Sequence, residues 1–363
     1  MEARIKKTFI CRNVEDYLID TTLTENHLPQ VGDVAVFEVM SIGKHQTIQD
    51  AREKLTKIMP GDYIMAAFGH RYATEQFEGY VPKECRRDFH ILGAGGTVGI
   101  VESVHAKFSG GPTKLQIVGY VTNCRNEIIN TKALEAERML AFTGRAAAAT
   151  KVILSIGSSM DSGKTTTAAH LVHGLARQGK KVVFVKLTGT VYTKDRDLSY
   201  DLGAINVLDF SEYGFPSTYL CEEEELLNLY ESLVAHALDA DPDYVIMEIA
   251  DGLYQRETQM LLRNQRFMAT IHDVIFSACD SLSAVCGVET LKKWDIVPFG
   301  LCGMFTTSPL LIKEVKDNCQ VPVYSLNTLY TEATEYLVQK AADLTWDNTI
   351  WIFNTPNKYG HVA

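Results

Sequence analysis

Between residues 28 and 123, apolar positions come in short runs punctuated by Gly and Pro. Runs at 34–39, 63–68, 98–101 and 115–120 predict strands, and together they predict a small β-barrel or sandwich. A helical segment is expected at 49–58. The stretch 128–149, rich in Ala, Glu and Arg, predicts a helix joining this module to the next. From residue 151 the pattern changes to alternating strands and helices, the signature of a parallel sheet covered on both faces. Strands are expected at 152–156, 181–187, 205–208, 244–249, 274–277, 296–304 and 321–324. Helices are expected at 167–178, 222–238, 281–293, 309–318 and 330–342. The glutamates that open the second of these complement a helix N-terminus. The expected domains are 1–125, β-rich; 126–150, a helical connector; and 151–363, α/β.

The first strand of the α/β part runs into Gly157-Ser158-Ser159-Met160-Asp161-Ser162-Gly163-Lys164-Thr165 and then into a helical run. A glycine-rich turn between strand and helix, ending in Gly-Lys-Thr, is a triphosphate cradle. Successive main-chain N–H groups and the helix N-terminus face phosphate oxygens, while the lysine and the hydroxyl reach the outer phosphates and Mg²⁺. Gly157, Ser158, Asp161, Ser162, Gly163, Lys164, Thr165 and Thr166 are the candidate nucleotide-binding residues. The fold class expected is therefore an α/β P-loop parallel sheet with helices on both faces, preceded by a smaller barrel-like domain.

Ligands of such sheets bind at the carboxyl ends of the strands. The second strand ends in Lys186-Leu187-Thr188-Gly189-Thr190, and Lys194-Asp195-Arg196-Asp197 follows. A lysine there can bind an anionic substrate or phosphate, and a nearby Asp can reach Mg²⁺. Glu248, delivered by an apolar strand, is expected to order Mg²⁺ or its water shell. Lys164, Lys186 and Glu248 are the candidate catalytic residues; Thr165, Asp197 and Glu248 are the candidate metal ligands. Asp251 either joins them or shapes the turn with Gly252. Residues 209–219 read equally as a substrate loop, a lid or an interdomain contact. Gly69 to Glu75 and Gly93 to Gly96 are a possible second site, though tight turns also explain the glycines. His170, His173 and Cys279 are read as structural.

Composition narrows the function. With 46% apolar and 22% charged residues and a net charge of -10, the chain is an ordinary globular protein without the Lys/Arg clusters of a nucleic-acid binder. Its eight cysteines are scattered with no Cys-x-x-Cys, which argues against zinc or a disulfide framework. No apolar signal core or membrane-length run is visible, so a cytoplasmic protein with no membrane partner is expected. A small-molecule substrate and a homo-oligomer complete the expectation.

Residues 151 to about 324 resemble the dethiobiotin synthetase-like branch of P-loop proteins, which shares the long Gly-x5-Gly-Lys-Thr loop. The resemblance implies ATP on residues 157–165, substrate on Lys186, and Mg²⁺ near Asp197 and Glu248, with Asp195 and Asp201 as competitors for Asp197. Ser-Met-Asp-Ser-Gly-Lys-Thr-Thr-Thr, Lys-Leu-Thr-Gly-Thr, Val-Leu-Asp-Phe and Glu-Ile-Ala-Asp-Gly-Leu-Tyr-Gln-Arg-Glu-Thr also resemble motifs of a bacterial P-loop family that includes D-glutamate N-acyltransferases. The extra β-rich module departs from dethiobiotin synthetase. So does the stretch 303–309, which lacks the Asn expected at adenine, leaving GTP open beside ATP. The implied activity is an ATP- and Mg²⁺-dependent ligase-like enzyme that phosphorylates a small carboxylate or carbamate and couples it to an amine. An N-acyltransferase, or a nucleotide-dependent switch or assembly protein with the barrel as partner module, are the alternatives.

Overall fold

The computed structural model describes residues 4–147 and 149–341. Strands of the amino-terminal part are Ile5–Lys7 (β1), Leu18–Asp20 (β2), Val34–Ser41 (β3), Thr47–Gln49 (β4), Leu55–Lys57 (β5), Tyr63–Phe68 (β6), Phe77–Tyr80 (β7), Asp88–Gly93 (β8), Thr97–Val104 (β9) and Lys114–Thr122 (β10). β6, β3, β10, β8 and β9 pair in that order, and β9 returns to β6 through Ala67 opposite Thr97 and Phe68 opposite Val98. These five strands therefore close a barrel, which removes the edges that an open sheet exposes. Phe37, Phe68 and Phe89, all fully buried, meet edge to face inside it at ring separations of 5.5, 5.7 and 5.1 Å. Such pairs add about 0.5–1.5 kcal/mol each beyond the area they bury.

Two expected helices are absent. Residues 49–58 form the β4–β5 hairpin instead, because the Asp50 carboxylate accepts from the main-chain N–H groups of Arg52 (2.9 Å) and Lys54 (3.1 Å), and Glu53 takes a left-handed φ of 65°. An aspartate that satisfies the backbone in this way competes directly with helix formation. The connector 126–150 holds only a one-turn helix, Thr131–Leu134 (α1), capped by Asn130, and a tight turn at Ala136–Arg138. Residue 148 lies outside the described residues. Beyond Arg138 the connector's N–H groups bond to side chains of a later helix, Leu140 to Ser232 Oγ and Phe142 to Asn228 Oδ1, both at 2.8 Å. Tertiary partners thus replace the helical ladder that composition favours.

The α/β part has strands Lys151–Gly157 (β11), Val182–Lys186 (β12), Asn206–Asp209 (β13), Tyr244–Glu248 (β14), Asp273–Ser277 (β15) and Gly300–Cys302 (β16). They pair in the order β13-β12-β14-β11-β15-β16, every pair parallel. Helices Lys164–Arg177 (α2), Lys194–Asp201 (α3), Glu223–Leu238 (α4), Arg256–Arg263 (α5), Gln265–Met268 (α6), Ser281–Lys292 (α7) and Pro309–Asn318 (α8) connect and follow them. Alternate residues of β11 face separate cores. Val152, Leu154 and Ile156 pack with Leu229 and Leu233 of α4 and Val288 of α7, while Ile153 packs with Leu171 and Leu175 of α2. This is the P-loop sheet with helices on both faces. Residues 321–324 make only a single parallel bridge, Val323 to Leu301, since Pro322 has no N–H for a ladder. The last expected helix begins at Leu326–Thr328 (α9) and runs to residue 341; residues 342–363 lie outside the described part.

Barrel and sheet share a core. Phe9, Val36 and Met65 belong to the same buried cluster as Val185 and Met247. No helix among the described residues is long and apolar enough to cross a membrane.

Candidate functional site

β11 lies between β14 and β15, and the chain leaves it at the point where successive connections diverge to opposite sides of the sheet. A crevice forms outside the carboxyl ends of the strands at such a point. The glycine-rich loop occupies it. Gly157 has no room for a side chain, since a Cβ there would stand 2.2 Å from Ser162 Oγ. Gly163 has a φ of 100°, and Met304 N donates to Ser162 O at 3.2 Å, closing the loop from the far side. Asp161 also adopts a left-handed φ, 59°, which short polar side chains tolerate. Among the described residues, none accepts a hydrogen bond from the main-chain N–H groups of Ser159 to Gly163. The hydroxyls of Ser158 and Ser162 are buried without a partner. A cradle of unspent donors at the start of α2 fits an anion.

Lys164 opens α2 and is 6% exposed, its Nζ donating to Ser159 O at 2.7 Å. Burial pushes its pKa down, and the charges of Glu248 and Asp251 oppose that. Thr165 Oγ1 donates to Glu248 Oε1 at 3.1 Å, while Thr166 sits on the same first turn with its carbonyl 2.8 Å from His170 Nδ1. Glu248 is 1% exposed, and its Oε2 has no partner among the described residues. A hydroxyl and an orphaned carboxylate oxygen beside a phosphate cradle fit Mg²⁺, which takes few protein ligands and completes its shell with phosphate and water. Among the described residues no group of three or more His, Cys, Asp or Glu is placed to hold a metal alone.

Register brings the other candidates into line. Asp209, Lys186, Glu248 and Ser155 are successive partners across β13, β12, β14 and β11. Lys186 Nζ lies 3.5 Å from Glu248 Oε1 and also binds the Asp195 carboxylate. Asp197 is not brought to this group. Its Oδ2 accepts from Thr193 Oγ1 at 2.6 Å, and its side chain is half exposed. On α3 residues 195 and 197 face different directions, so only one can meet Lys186, and it is Asp195. Asp209 is instead committed to Ser211 N and to Arg196.

Residues 250–252 return the chain to the phosphate loop. A Cβ on Gly252 would lie 2.4 Å from Ser158 O, so the turn packs directly on the loop. Asp251 beside it has a φ of 61°. Burial raises its carboxyl pKa from 3.8 to about 6, against the pull of Lys164, Lys186 and Arg71. It lines a narrow cleft of about 10 Å³, room for a single water, with Thr188, Ser217 and Tyr219 of the α/β part and Tyr72 of the barrel. Residues 209–219 therefore act twice: Thr97 Oγ1 of the barrel donates to Pro216 O at 2.9 Å, and the following residues wall the cleft. Gly93 to Gly96 are a close approach of barrel to sheet, with a Cβ on Gly95 falling 2.2 Å from Val191 O. A larger cleft of about 40 Å³, lined by Lys151, Tyr244, Asp273 and Lys340, lies at the amino ends of the strands, away from the loop.

Asp195, a competitor of Asp197 in the sequence, is the acid that meets Lys186, and Tyr72, within the possible second site at Gly69 to Glu75, joins the wall beside Asp251. Tyr72 meets the α/β part through the packing of barrel on sheet. His170 and His173 bond to main-chain carbonyls within α2 and at Leu202. Cys279 Sγ lies 3.3 Å from Ser159 Oγ.

No protein-family profile matches the chain, and no curated protein matches it. Among solved structures it is similar to the signal recognition particle receptor FtsY from Elizabethkingia anophelis, with 19% identity over 55% of this chain and 68% of that one and a TM-score of 0.34. Chloroplast FtsY from Physcomitrella patens is similar at 17% identity, covering 53% and 64%, with a TM-score of 0.35. The hydrogenase maturation factor HypB from Archaeoglobus fulgidus is similar at 13% identity, covering 58% and 95%, with a TM-score of 0.37. The chain thus spans about two thirds of the FtsY structures it matches. Likeness at this level carries nothing about activity.

Proposed function

We propose that this chain is a nucleoside-triphosphate- and Mg²⁺-dependent enzyme that phosphorylates a small carboxylate or carbamate and couples it to an amine, as the dethiobiotin synthetase-like proteins that its motifs resemble do. The observation that carries this reading is the convergence of Lys164, Thr165, Lys186 and Glu248 at the carboxyl ends of adjacent parallel strands. Lys164 and the loop amides would hold the transferred phosphoryl group as its charge spreads. Thr165 and Glu248 would hold Mg²⁺, which when bound neutralises phosphate charge. Lys186 would orient the acceptor, with Asp195 and Glu248 fixing its ammonium group. ATP is the nucleotide the resemblance implies, and GTP is the competing one.

A nucleotide switch is the second reading, favoured by one observation. The segment after Lys186 is clamped to the barrel: Gln49 Nε2 donates to Thr193 Oγ1 at 2.6 Å, and Glu53 binds Arg196 at 2.5 Å. Movement at the phosphates would therefore reach the barrel. An N-acyltransferase that uses the cradle for the phosphates of an acyl carrier is the third. Titrating the purified chain with ATP, GTP and coenzyme A, then incubating it with ATP, Mg²⁺ and a metabolite extract, separates them. Nucleotide-dependent formation of a new small molecule by mass spectrometry supports the enzyme. Nucleotide-dependent assembly with no metabolite consumed overturns it.

A further inference from the structure

The phosphate loop has two flanks of different chemistry. Toward β14, Gly252 packs on Ser158, and Lys186 and Glu248 stand side by side at the strand ends. Thr165 meets Glu248 on that flank, so the outer phosphate and its Mg²⁺ belong there. Toward β15 and β16, a Cβ on Gly163 would lie 3.0 Å from Gly303 Cα, and Cys279 Sγ lies 3.3 Å from Ser159 Oγ. A triphosphate whose outer end points to β14 therefore sends its nucleoside out over this second flank.

Two stretches bound that exit, 279–283 after β15 and 303–310 after β16, and neither contains Asn, Gln, Lys, Arg or His. Their polar groups are spent locally. Thr306 Oγ1 donates to Gly303 O and Thr307 Oγ1 to Met304 O, both at 2.8 Å. Ser308 caps α8, Ser281 donates to Glu314, and Asp280 Oδ1 accepts from Ser283 N at 2.7 Å to cap α7. The N–H groups of Met304, Phe305 and Thr306 donate to Ser162 O, Ala278 O and Gly303 O. What the exit presents is apolar: Leu282, Met304 and Leu310 are 71%, 51% and 74% exposed. The Ser281–Glu314 bond ties the start of α7 to α8, and Leu310 stands one turn before Glu314 on the same face, which brings Leu282 and Leu310 to one rim.

Hydrogen-bonding edges distinguish the bases, whereas every base has a face that packs on apolar atoms. A site that pairs polar groups with its substrate rejects an analogue lacking them by factors of about 10⁴–10⁵, but an apolar wall discriminates by only about a hundredfold. We propose, resting on the nucleotide-dependent reading above, that the chain binds the Mg²⁺ complexes of purine and pyrimidine nucleoside triphosphates alike, with the face of the base on Leu282, Met304 and Leu310. Selectivity then lies in the triphosphate and the acceptor, and ATP and GTP are equivalent to this site.

Equilibrium titration of the full chain with ATP, GTP, CTP, UTP and inorganic tripolyphosphate, each with Mg²⁺, tests this. The four nucleotides should bind within roughly tenfold of one another, and tripolyphosphate more weakly than any of them. Met304→Ser, at a half-exposed position that folding tolerates, should weaken all four by roughly threefold to tenfold and leave tripolyphosphate unchanged. Leu310→Ser should do the same. A preference above a hundredfold for one base, or nucleotide affinities unmoved in both variants, would overturn the proposal. A preference for GTP that disappears in Asp280→Asn would overturn it too, by assigning the base to the free oxygen of Asp280. In each of these cases tripolyphosphate still binds and the phosphate cradle stands. Failure of the wild-type chain to bind tripolyphosphate or any nucleotide removes the cradle reading, and base-indifferent binding with it.

Discussion

Lys186 and Glu248 are register partners on adjacent parallel strands, and their side chains meet at 3.5 Å where the sheet ends beside the phosphate loop. They are 62 positions apart in the chain, yet the parallel ladder leaves no freedom in their pairing. Glu248 Oε1 is thereby shared between Lys186 and Thr165, which links the proposed acceptor-binding lysine to the start of the helix behind the glycine-rich loop.

Lys164→Ala is expected to abolish triphosphate binding without unfolding the chain. Removing one phosphate-pairing cation from a preformed cradle should cost about 2–4 kcal/mol of binding. Equilibrium dialysis with ATP and GTP checks this, and unchanged affinity for both would refute the cradle assignment.

Glu248→Gln is expected to keep nucleotide and lose turnover. The amide preserves shape and the contact with Thr165 but removes the charge that would order Mg²⁺. Turnover with an ordinary Mg²⁺ dependence in this variant would return Glu248 to a structural role.

Lys186→Ala is expected to leave nucleotide affinity nearly unchanged while eliminating product, since only the acceptor loses a partner. A second effect follows from the packing. Glu248 is almost fully buried, and withdrawing its cation should lower folding stability by about 3 kcal/mol. Denaturant unfolding measures that loss, and product analysis by mass spectrometry measures the other. Product formed at the wild-type rate would exclude Lys186 from the acceptor site.

Asp251→Asn is expected to stabilise the fold at neutral pH. The carboxyl pKa rises from 3.8 to about 6 on folding, so the folded state holds its proton more tightly than the unfolded chain. Below about pH 3 both states are protonated and the group contributes nothing. As pH rises toward 6 the unfolded state ionises first, and above that the full cost of burying the charge is present, at most about 3 kcal/mol. The variant's melting temperature should exceed that of wild type at pH 8, with the gap closing by about pH 3. A gap that stays constant with pH would sink the argument.

Gly95→Ala is expected to loosen barrel from sheet. Its Cβ would stand 2.2 Å from a main-chain oxygen, Val191 O, which cannot rotate away, and overpacking of this kind costs about 1–3 kcal/mol. Limited proteolysis should cut faster within residues 126–147. An unchanged cleavage rate with an unchanged melting temperature would show that the contact yields without cost.

Much of this protein is set by local pattern. A strand running into Gly157 to Thr165 and a helix determines its own geometry, because the glycines and the helix start are neighbours in the chain, and the parallel alternation from residue 151 follows from apolar runs of strand length. Local pattern misled where a tertiary partner outbid propensity: Asp50 turned a helix-like stretch into a hairpin, and α4 drew the connector into an extended path. Which acid meets Lys186 was also beyond the sequence, since Asp195 and Asp197 are equal by spacing and differ only in the face of α3 on which they lie. The parts of the cleft are legible separately, as Asp251, residues 209–219 and the stretch Gly69 to Glu75, but their meeting is not. Tyr72 and Asp251 stand far apart in sequence, in loops of the barrel and of the α/β part, and only the docking of barrel against sheet, through contacts such as Thr97 to Pro216, brings them to one wall.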